Sequence, residues 1–324
     1  MTSSSCSIAP PRGPTGGPAG LDLAAARRYV LGRRTVAGGY CFYRVPAWGV
    51  EEPNAPDTLA ALESLRLLRT PPQGAAATAQ WLRGLQSADG GYPTRVIGWA
   101  ALRGLDVLGA RPRASAQRWL AAWAATVGGP FVDGGWAAAV GVPSADGEWA
   151  AAVGDGEWAA AVGDAMRLVE LHRVAAVPLA PQALARIAGL LGAGRGPASS
   201  AAPASADLAT AALARRLAGS AGVATDDAAT IGVLRGCEDA ALGFRLRADA
   251  AATSVGALLG GLWLARATAT PVRYPEAVAE RLASLQRADG GLGSRDRAIS
   301  TLHATWLGLL AARLLAQSQR MRHA

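Results

Sequence analysis

Apolar residues recur along this chain with helical periodicity, in pairs of segments that differ in how much of the helix surface is apolar. The first segment of each pair carries Arg or Gln on one face, which predicts an amphipathic helix. The second is apolar around most of its circumference, as in residues 59–68 and 302–310. A helix of that kind must be buried. The pattern therefore predicts an all-α chain of helical hairpins, each with one buried and one water-facing helix.

Two of the predicted turns have nearly the same sequence although they are far apart in the chain. Residues 82–91 and 282–291 both follow the pattern Leu-x-x-Leu-Gln-x-Ala-Asp-Gly-Gly, with a helical pattern before and after it. Glycine adopts the positive φ that a tight reversal after a helix needs. We expect the Gln side chain to bond backbone groups left open at the helix end. An internal repeat of this kind is typical of a repeat architecture.

The rest of the chain divides in the same way, with Pro-containing breakers between the units. Six pairs can close into a ring, with six buried helices inside and six amphipathic helices outside, and closure removes the exposed ends of an open solenoid. We therefore expect a six-hairpin α/α toroid over residues 21–318, between a disordered tail at 1–20 and a short tail at 319–324. The predicted hairpins span residues 24–69, 75–109, 113–174, 181–218, 227–266 and 275–316.

The third hairpin carries a local duplication. The motif Asp-Gly-x-Trp-Ala-Ala-Ala-Val-Gly occurs three times within residues 133–163. One interpretation is a recent duplication that lengthened a loop. The alternative is a lid that carries Trp136, Trp149 and Trp158 over the mouth of the ring.

Composition narrows the classes of function. The formal net charge is +8 and the isoelectric point about 10.3, but the basic residues are all Arg and are spread in ones and twos, so we do not expect nucleic-acid binding. The three cysteines form no Cys-x-x-Cys pair, which favours a reducing compartment. The first twenty residues contain no apolar signal segment, and the apolar stretch at 250–265 is short for a membrane span. We therefore expect a cytoplasmic protein without a transmembrane segment.

Polar residues stand where the predicted inner helices begin. In a ring, these helix N-termini would all open on one end of the central cavity and form a polar rim above an apolar well. Helix capping explains each residue by itself, whereas together they could also contact a substrate, since helix N-termini attract phosphate. The residues are Asp57, Asp164, Asp207, Asp249 and the pair Ser300-Thr301.

Three tryptophans, Trp99, Trp263 and Trp306, fall on the predicted inner helices. Core packing is one explanation for them. The other is an aromatic wall that holds an apolar ligand or stabilises a developing carbocation through the π face of the indole.

These repeats resemble those of the prenyltransferase and terpene-cyclase superfamily, which includes the β subunits of protein prenyltransferases and the squalene-hopene and class II diterpene cyclases. The Gln-x-x-Asp-Gly-Gly turns carry the resemblance, as does Gly38-Gly-Tyr-Cys-Phe-Tyr43 followed by residues 56–62. It covers about residues 24–316. It implies a six-hairpin toroid that holds an isoprenoid or another apolar small molecule in its centre, with Tyr40 and Tyr43 among the substrate contacts.

The resemblance also implies a metal site. In the zinc-dependent members, an Asp-x-Cys at the start of the fifth inner helix and a His at the start of the sixth bind zinc. Asp249 and His303 match the Asp and the His, but Ala251 stands in place of the Cys, so a Zn or Mg site would be incomplete. His303 is then a relic, a neutral base or hydrogen-bond donor, or an ordinary core histidine.

Other family features are matched in part. Class II cyclases protonate an alkene with the middle Asp of Asp-x-Asp-Asp, and Asn54-Ala-Pro-Asp57 keeps only the final Asp. In protein prenyltransferases a loop before the fifth inner helix supplies basic residues to the diphosphate. Arginines lie in comparable turns of this chain, where the alternative role is surface solubility. They are Arg44, Arg95, Arg245 and Arg247.

The sequence thus leads to two hypotheses. The first is an isoprenoid-handling enzyme of the prenyltransferase or terpene-cyclase type, with Asp57, Asp249 and His303 as its catalytic residues. The alternative is a non-catalytic toroid that acts as a lipid-binding module or as a partner subunit. The missing zinc cysteine and the missing cyclase acid favour this alternative.

Overall fold

The computed structural model describes residues 18–127, 153–192 and 207–323, except residues 46 and 48. These ranges contain twelve α-helices, a short 3-10 turn at Pro18–Gly20 and three two-stranded antiparallel ladders, so the predicted all-α class is confirmed. The helices are α1 (Leu23–Leu31), α2 (Ala55–Leu67), α3 (Ala75–Gly84), α4 (Arg95–Val107), α5 (Gln117–Thr126), α6 (Val153–Val174), α7 (Pro181–Gly192), α8 (Leu208–Ala221), α9 (Asp227–Cys237), α10 (Val255–Ala267), α11 (Pro275–Leu285) and α12 (Leu302–His323). The ladders pair β1 (Arg44–Val45) with β2 (Val50–Glu51), β3 (Glu238–Asp239) with β4 (Gly243–Phe244), and β5 (Leu292–Gly293) with β6 (Ser300–Thr301).

Each predicted hairpin contains two of these helices, and the second is the more buried. Ten of the 13 residues of α2 are buried, against three of the nine residues of α1. The same contrast separates α10, with nine buried residues of 13, from α9, with three of 11. The second helices α2, α4, α6, α8, α10 and α12 are called the buried helices below.

The buried helices contact one another in a closed order. Helix α2 packs against α4, α4 against α6, α6 against α8, α8 against α10, α10 against α12, and α12 against α2. The first and last hairpins of the sequence are therefore neighbours in space. The 3-10 turn at the N-terminal side adds to this contact because it packs against α11 and α12.

The first Gln of the repeated motif joins two hairpins. The amide nitrogen of Gln86 donates hydrogen bonds to the carbonyl oxygens of Gly90 and Ala114, both at 3.0 Å. Its oxygen accepts the backbone N–H of Ala114 at 2.9 Å. Ala114 lies just before α5, so Gln86 connects its own turn to the following hairpin as well as satisfying groups at the helix end.

The second Gln makes the same bonds between the two ends of the fold. The Gln286 amide donates to the carbonyl oxygens of Gly290 and Asp22, both at 2.9 Å, and its oxygen accepts the Asp22 N–H at 2.9 Å. Asp22 caps α1. The bonds that join the second hairpin to the third therefore also join the sixth hairpin to the first.

The observed boundaries differ from the prediction at three places. Residues 18–20 form an ordered turn, with Leu21 fully buried behind it, and residues 319–323 continue α12. The third tryptophan repeat lies entirely inside α6, and Trp158 is buried there with its Nε1 donating to the Leu190 carbonyl at 3.2 Å. Trp158 is thus part of the core and not of a lid, whereas Trp136, Trp149 and residues 1–17 lie outside the described residues.

Two large apolar clusters fill the space between the helices. One is built mainly from α8 to α12 and the other from α3 to α8. Among the helices that the structure describes, none combines the length and the apolar character needed to cross a bilayer.

Candidate functional site

Only one of the four aspartates predicted to begin a buried helix does so. Asp207 caps α8, where its carboxylate accepts a first-turn backbone N–H at 2.7 Å. Helix α2 is capped by Asn54, α10 by Ser254, and the first turn of α12 by the Thr301 hydroxyl. Asn, Ser and Thr cap helices about as well as Asp does, so the nearby polar residue in the right register takes this role.

Asp57 holds a turn against α2. Its Oδ2 accepts the backbone N–H of Phe42 at 3.0 Å and the side-chain amide of Asn54 at 2.8 Å. The side chain is buried, and burial raises the pKa of its carboxyl while the two hydrogen bonds act in the opposite direction. The contacts of Asp57 therefore fix the chain just before α2.

Asp164 lies in the middle of α6 and joins three helices. Its Oδ2 accepts hydrogen bonds from the Arg95 guanidinium at 2.8 Å and from the Trp123 indole at 2.9 Å. Arg95 is the first residue of α4 and also donates to the Thr126 hydroxyl at 2.6 Å. This buried carboxylate thus ties α4 and α5 to α6.

The arginines of the other turns are ion-paired nearby. In the β1–β2 ladder, Arg44 is directly opposite Glu51 and contacts its carboxylate at 2.5 Å. Arg247 pairs at 3.2 Å with Asp249, whose side chain is 73% exposed. Asp249 does not begin α10, since five residues separate it from the helix. It lies in a solvent-facing loop.

The two tyrosines proposed as substrate contacts lie in different surroundings. Tyr40 is fully buried and packs in a cluster with α1, α2 and α12. Tyr43 is 55% exposed and has only a tilted ring contact with Phe42 among its aromatic neighbours in the described chain. A substrate would reach Tyr40 only after the core had opened.

The buried helices place a set of charged and aromatic residues at one level. Glu63, Arg103, Arg216 and Trp263 each lie nine residues after the N-cap of their own helix. Glu63 contacts Arg103 and Arg216 contacts Trp263, so residues at equal height meet. Contacts of this kind are expected where the helices concerned run parallel and in register.

About one turn nearer the start of α4, a chain of contacts crosses from α4 to α6. The Arg167 guanidinium lies over the Trp99 ring, 5.5 Å from its centroid. The Trp99 Nε1 donates to the Glu170 carboxylate at 2.9 Å. Because Arg167 and Glu170 are three residues apart on α6, one helix face supplies both contacts to Trp99.

The same chain continues from α6 to α8 and α10. The other carboxylate oxygen of Glu170 lies 3.7 Å from the Arg216 guanidinium. Arg216 in turn lies 4.0 Å from the centroid of the Trp263 ring, which is close enough for a cation–π contact. We call Trp99, Arg167, Glu170, Arg216 and Trp263 the Arg–Trp cluster.

His303 lies beside this cluster on α12. Its imidazole packs edge-to-face on Trp306, with 5.9 Å between ring centroids. The side chain is accessible to solvent, although protein atoms lie all around it. Burial, and secondarily the positive charge of Arg167, lower the pKa of His303 to about 4. The imidazole is therefore neutral at neutral pH.

The residues present do not fit the metal site that the resemblance implies. Asp249 is exposed in its loop, and Arg167 acts on His303 as a positive charge, which opposes a nearby cation. Burial raises the pKa of the Cys41 and Cys237 thiols, which disfavours the thiolate form that binds zinc. Within the described ranges, no three His, Cys, Asp or Glu side chains are grouped as metal ligands.

The low pKa of His303 predicts a pH effect on stability. As the pH falls from 6.5 towards 4, the unfolded chain takes up a proton at His303 that the folded chain does not, so the folded state loses stability. We expect His303→Gln to lose less stability than the wild type over this range. Urea denaturation at several pH values measures the difference, and an NMR titration of the imidazole, assigned with the same variant, measures the pKa. A pKa near 6.5 or above would contradict the expected effect of burial on His303.

The prediction from sequence missed Arg167, Glu170 and Arg216. They lie on helices that the hydrophobic pattern describes as almost entirely apolar. The sequence could have indicated these residues, because a charged side chain within an apolar helix needs a partner of opposite charge. Arg167 and Glu170 are also three residues apart and therefore share one helix face. The partners across the helices could not be read from the local sequence.

Comparisons with known proteins add no support for the resemblance that the motifs indicate. No protein-family model matches the chain, and no curated protein matches it significantly. The resemblance to prenyltransferases and terpene cyclases therefore rests on the repeated turns and their spacing alone.

Proposed function

We propose that the chain is an α/α toroid whose buried helices form the inner ring. The closed order of contacts among these helices supports this arrangement. Parallel inner helices are supported by residues that lie equally far from the N-caps of their own helices and contact one another across the helices, namely Glu63 with Arg103 and Arg216 with Trp263. The Gln286 bonds to Asp22 close the outer side of the ring between the last and first hairpins.

The function that this geometry supports best is the binding of an isoprenoid or another apolar-tailed ligand in the centre of the ring. One observation carries the proposal: Trp99, Trp263 and Trp306 are partly exposed, although they lie on the buried helices. Large indole surfaces in an enclosed space bind apolar chains, and the neighbouring guanidinium groups bind an anionic or polar end. The protein would then be a lipid-binding module, alone or with a partner subunit.

A second candidate is catalysis on the same ligand, in a reaction of the prenyltransferase or terpene-cyclase type. The neutral imidazole of His303 against Trp306 favours it, since such a base can accept a proton from a carbocation. Trp99 and Trp263 are poor carbocation stabilisers here, because a guanidinium already lies over each ring and repels positive charge. Asp249, exposed in its loop, takes no role in this proposal.

Calorimetric titration with farnesol and squalene tests the binding proposal. We expect binding to the wild type, and a loss of about tenfold in affinity in Trp306→Ala. Trp119→Ala is the matched control, since Trp119 lies on α5 and contacts Tyr92 and Trp123 instead. Equal losses in both variants, or no binding of either probe by the folded wild type, would overturn the proposal.

Product analysis separates the two candidates. Mass spectrometry after incubation with farnesyl and geranylgeranyl diphosphate, with and without Mg²⁺ and Zn²⁺, detects any transferred or cyclised product. Turnover that is lost in His303→Gln would support catalysis. If the substrate is recovered intact under every condition although the protein binds it, the catalytic candidate is excluded and the binding module is supported.

A further inference from the structure

Charge is distributed unevenly between the two ends of the buried helices. In the turns before α2, α4, α10 and α12, nine arginines stand against nine acidic residues. Those turns are residues 32–57, 85–95, 238–254 and 286–301. The opposite ends, together with the residues that lead from them into the outer helices, contain nine arginines and only three acidic residues. They comprise residues 18–22, 66–74, 106–116, 173–180, 219–226, 266–274 and 313–320.

These opposite ends lie together in the fold. Arg173, near the end of α6, donates to the hydroxyl of Ser220, near the end of α8, at 3.2 Å. Arg266, near the end of α10, donates to the Gln317 side-chain oxygen on α12 at 2.9 Å. The ends of α4 and α6 line one groove, and the end of α2 packs in the same apolar cluster as α12. Arginines that are spread in ones and twos along the sequence are therefore collected at one end of the buried helices.

Spacing along the helices places α12 in the same arrangement. Arg66, Arg266 and Arg313 each lie 12 residues after the residue that caps the first turn of their own helix. Because α12 continues to His323, its arginines lie at and beyond the level at which α2 and α10 end. All nine arginines are exposed, and we call them the basic end. They are Arg66, Arg69, Arg111, Arg113, Arg173, Arg266, Arg273, Arg313 and Arg320.

Neighbouring acids do not cancel this charge. Asp106 lies 4.0 Å from Arg103, which is deeper along α4, and Asp22 and Asp226 cap α1 and α9 by accepting backbone N–H groups. Adding one further turn of each adjoining helix adds four arginines and four acids, so the excess of positive charge stays the same. The added residues are Arg103, Arg118, Arg215, Arg216, Glu63, Glu170, Asp227 and Glu276.

Most of the basic end has no counter-charge of its own. Arg66 pairs with Glu63 at 2.7 Å, and Arg273 lies 3.5 Å from Glu238. Within the part of the chain that the structure describes, the other seven arginines have no acidic side chain within 4.0 Å. Their positive charge is therefore directed to solvent.

Helix stability explains only part of this set. An Arg in the last turn of a helix interacts favourably with the helix dipole, which accounts for Arg66, Arg173 and Arg266. Arg69 lies beyond its helix and has φ +51°, at the position where α4 is followed by Gly109 and α8 by Gly222, each also with positive φ. A side chain is disfavoured in that conformation. The stability of the fold therefore does not account for an Arg at position 69.

The surroundings of these arginines indicate the class of partner. The core of a protein–protein interface needs large apolar anchors, and single-stranded nucleic acid needs exposed aromatic rings. Among the described residues of this end, Tyr274 is the one large apolar side chain that is exposed. The surface of an anionic bilayer needs only positive charge, about fivefold in affinity for each Lys or Arg near it. Guanidinium groups also suit lipid phosphates, because they donate to phosphate oxygens in pairs.

We propose that the basic end binds the surface of an anionic phospholipid bilayer. The distribution of charge does not depend on the proposed function, but the choice of a bilayer over another polyanion rests on it. An apolar-tailed ligand of the kind proposed above partitions into bilayers, because its tail is removed from water there. Binding through the basic end brings the protein to the place where such a ligand is held.

Co-sedimentation with sucrose-loaded vesicles tests the proposal. We expect at least about tenfold tighter binding to vesicles of equal parts phosphatidylglycerol and phosphatidylcholine than to phosphatidylcholine alone. This binding should be lost between about 0.1 M and about 1 M NaCl, because the Debye length falls from about 10 Å to about 3 Å. Equal binding to both vesicles, binding to neither, or binding that persists at high salt would overturn the inference.

Two further measurements separate this inference from its alternatives. Tighter binding to duplex DNA or to polyglutamate than to anionic vesicles, at equal concentration of negative charge, would assign the basic end to another partner and overturn the inference. Titration with farnesol in the absence of vesicles tests the proposed function by itself. Farnesol binding without vesicle binding would overturn only the inference, and vesicle binding without farnesol binding would support the bilayer surface while removing the proposed function.

Arg69→Gly and Arg297→Gly form a matched pair of variants. Both arginines are exposed and have positive φ, +51° and +60°, so Gly relieves backbone strain at either position and neither variant should lose stability in urea. Arg297 lies in one of the turns with balanced charge. We expect Arg69→Gly to weaken binding to anionic vesicles about fivefold and Arg297→Gly to change it less than about twofold. Equal weakening in both variants would contradict the assignment to the basic end.

A triple variant enlarges the effect. Adding Arg111→Gln and Arg113→Gln to Arg69→Gly removes three exposed charges from neighbouring loops. We expect it to bind anionic vesicles about a hundredfold more weakly than the wild type while farnesol binding stays unchanged. Vesicle binding equal to that of the wild type would overturn the inference.

Discussion

Replacing Gly290 with Ala is expected to destabilise the fold far more than replacing Gly222, although both glycines have positive φ. The backbone φ is +92° at Gly290 and +70° at Gly222, and positive φ costs an Ala about 1–2 kcal/mol at either position. A Cβ at Gly290 would also lie 2.5 Å from the carbonyl carbon of Ala25 and would overlap its oxygen, whereas a Cβ at Gly222 would meet no atom within 4 Å. Relieving that overlap requires the sixth hairpin to move away from the first. We therefore expect a total loss of roughly 3 kcal/mol or more for Gly290→Ala, measured by urea denaturation.

Gly90 provides the comparison that makes this result informative about the ring. It occupies the equivalent place in the other copy of the motif, with φ +88°, and its Cβ would overlap the carbonyl oxygen of Ser115. Gly90→Ala should therefore cost about as much as Gly290→Ala. If Gly90→Ala is costly and Gly290→Ala costs no more than Gly222→Ala, then the first and last hairpins are apart in solution, and the ring is open.

The part of the fold that the sequence predicts is the part set by local apolar periodicity. Residues 59–68 and 302–310 are apolar nearly all round, and both lie in helices with mostly buried surface in the described chain. Helix starts were predicted less well, because Asn54 and Ser254 are as good at capping as the nearby Asp57 and Asp249. Packing of the whole helix decides which residue falls in the cap position, and the local sequence does not contain that information.

The candidate site depends still more on long-range geometry. His303, Trp99, Trp263 and Trp306 could be singled out because single polar or aromatic groups stand out on apolar helices. Their partners could not, since the contact of Arg216 with Trp263 depends on how α8 packs against α10. The metal prediction for Asp249 was transferred from a family pattern, and it lacks support because a loop, and not the helix start, holds that residue.

Removing the Glu63 carboxylate is the other change with a large expected effect. The side chain is nearly fully buried on α2 and accepts hydrogen bonds from Arg66 and from Arg103, both at 2.7 Å. In Glu63→Leu the partly buried Arg103 cation keeps its desolvation cost and retains only the more exposed Asp106 carboxylate, 4.0 Å away, as a counter-charge. Breaking a buried ion pair from one side costs ~3–5 kcal/mol, and we expect a loss in that range by urea denaturation.

A double-mutant cycle separates the ion pair from simple packing. Because the pair compensates its own desolvation, Glu63→Leu combined with Arg103→Met should recover much of the stability lost in the single variant, giving a large coupling energy. The exposed pair Arg247–Asp249 is the matched control, and its coupling should be about 0–1 kcal/mol. A coupling for Glu63 and Arg103 as small as that of the control would mean that α2 and α4 do not hold these groups together in solution. The parallel register proposed for the buried helices, on which the proposed central binding site depends, would then lose its main energetic support.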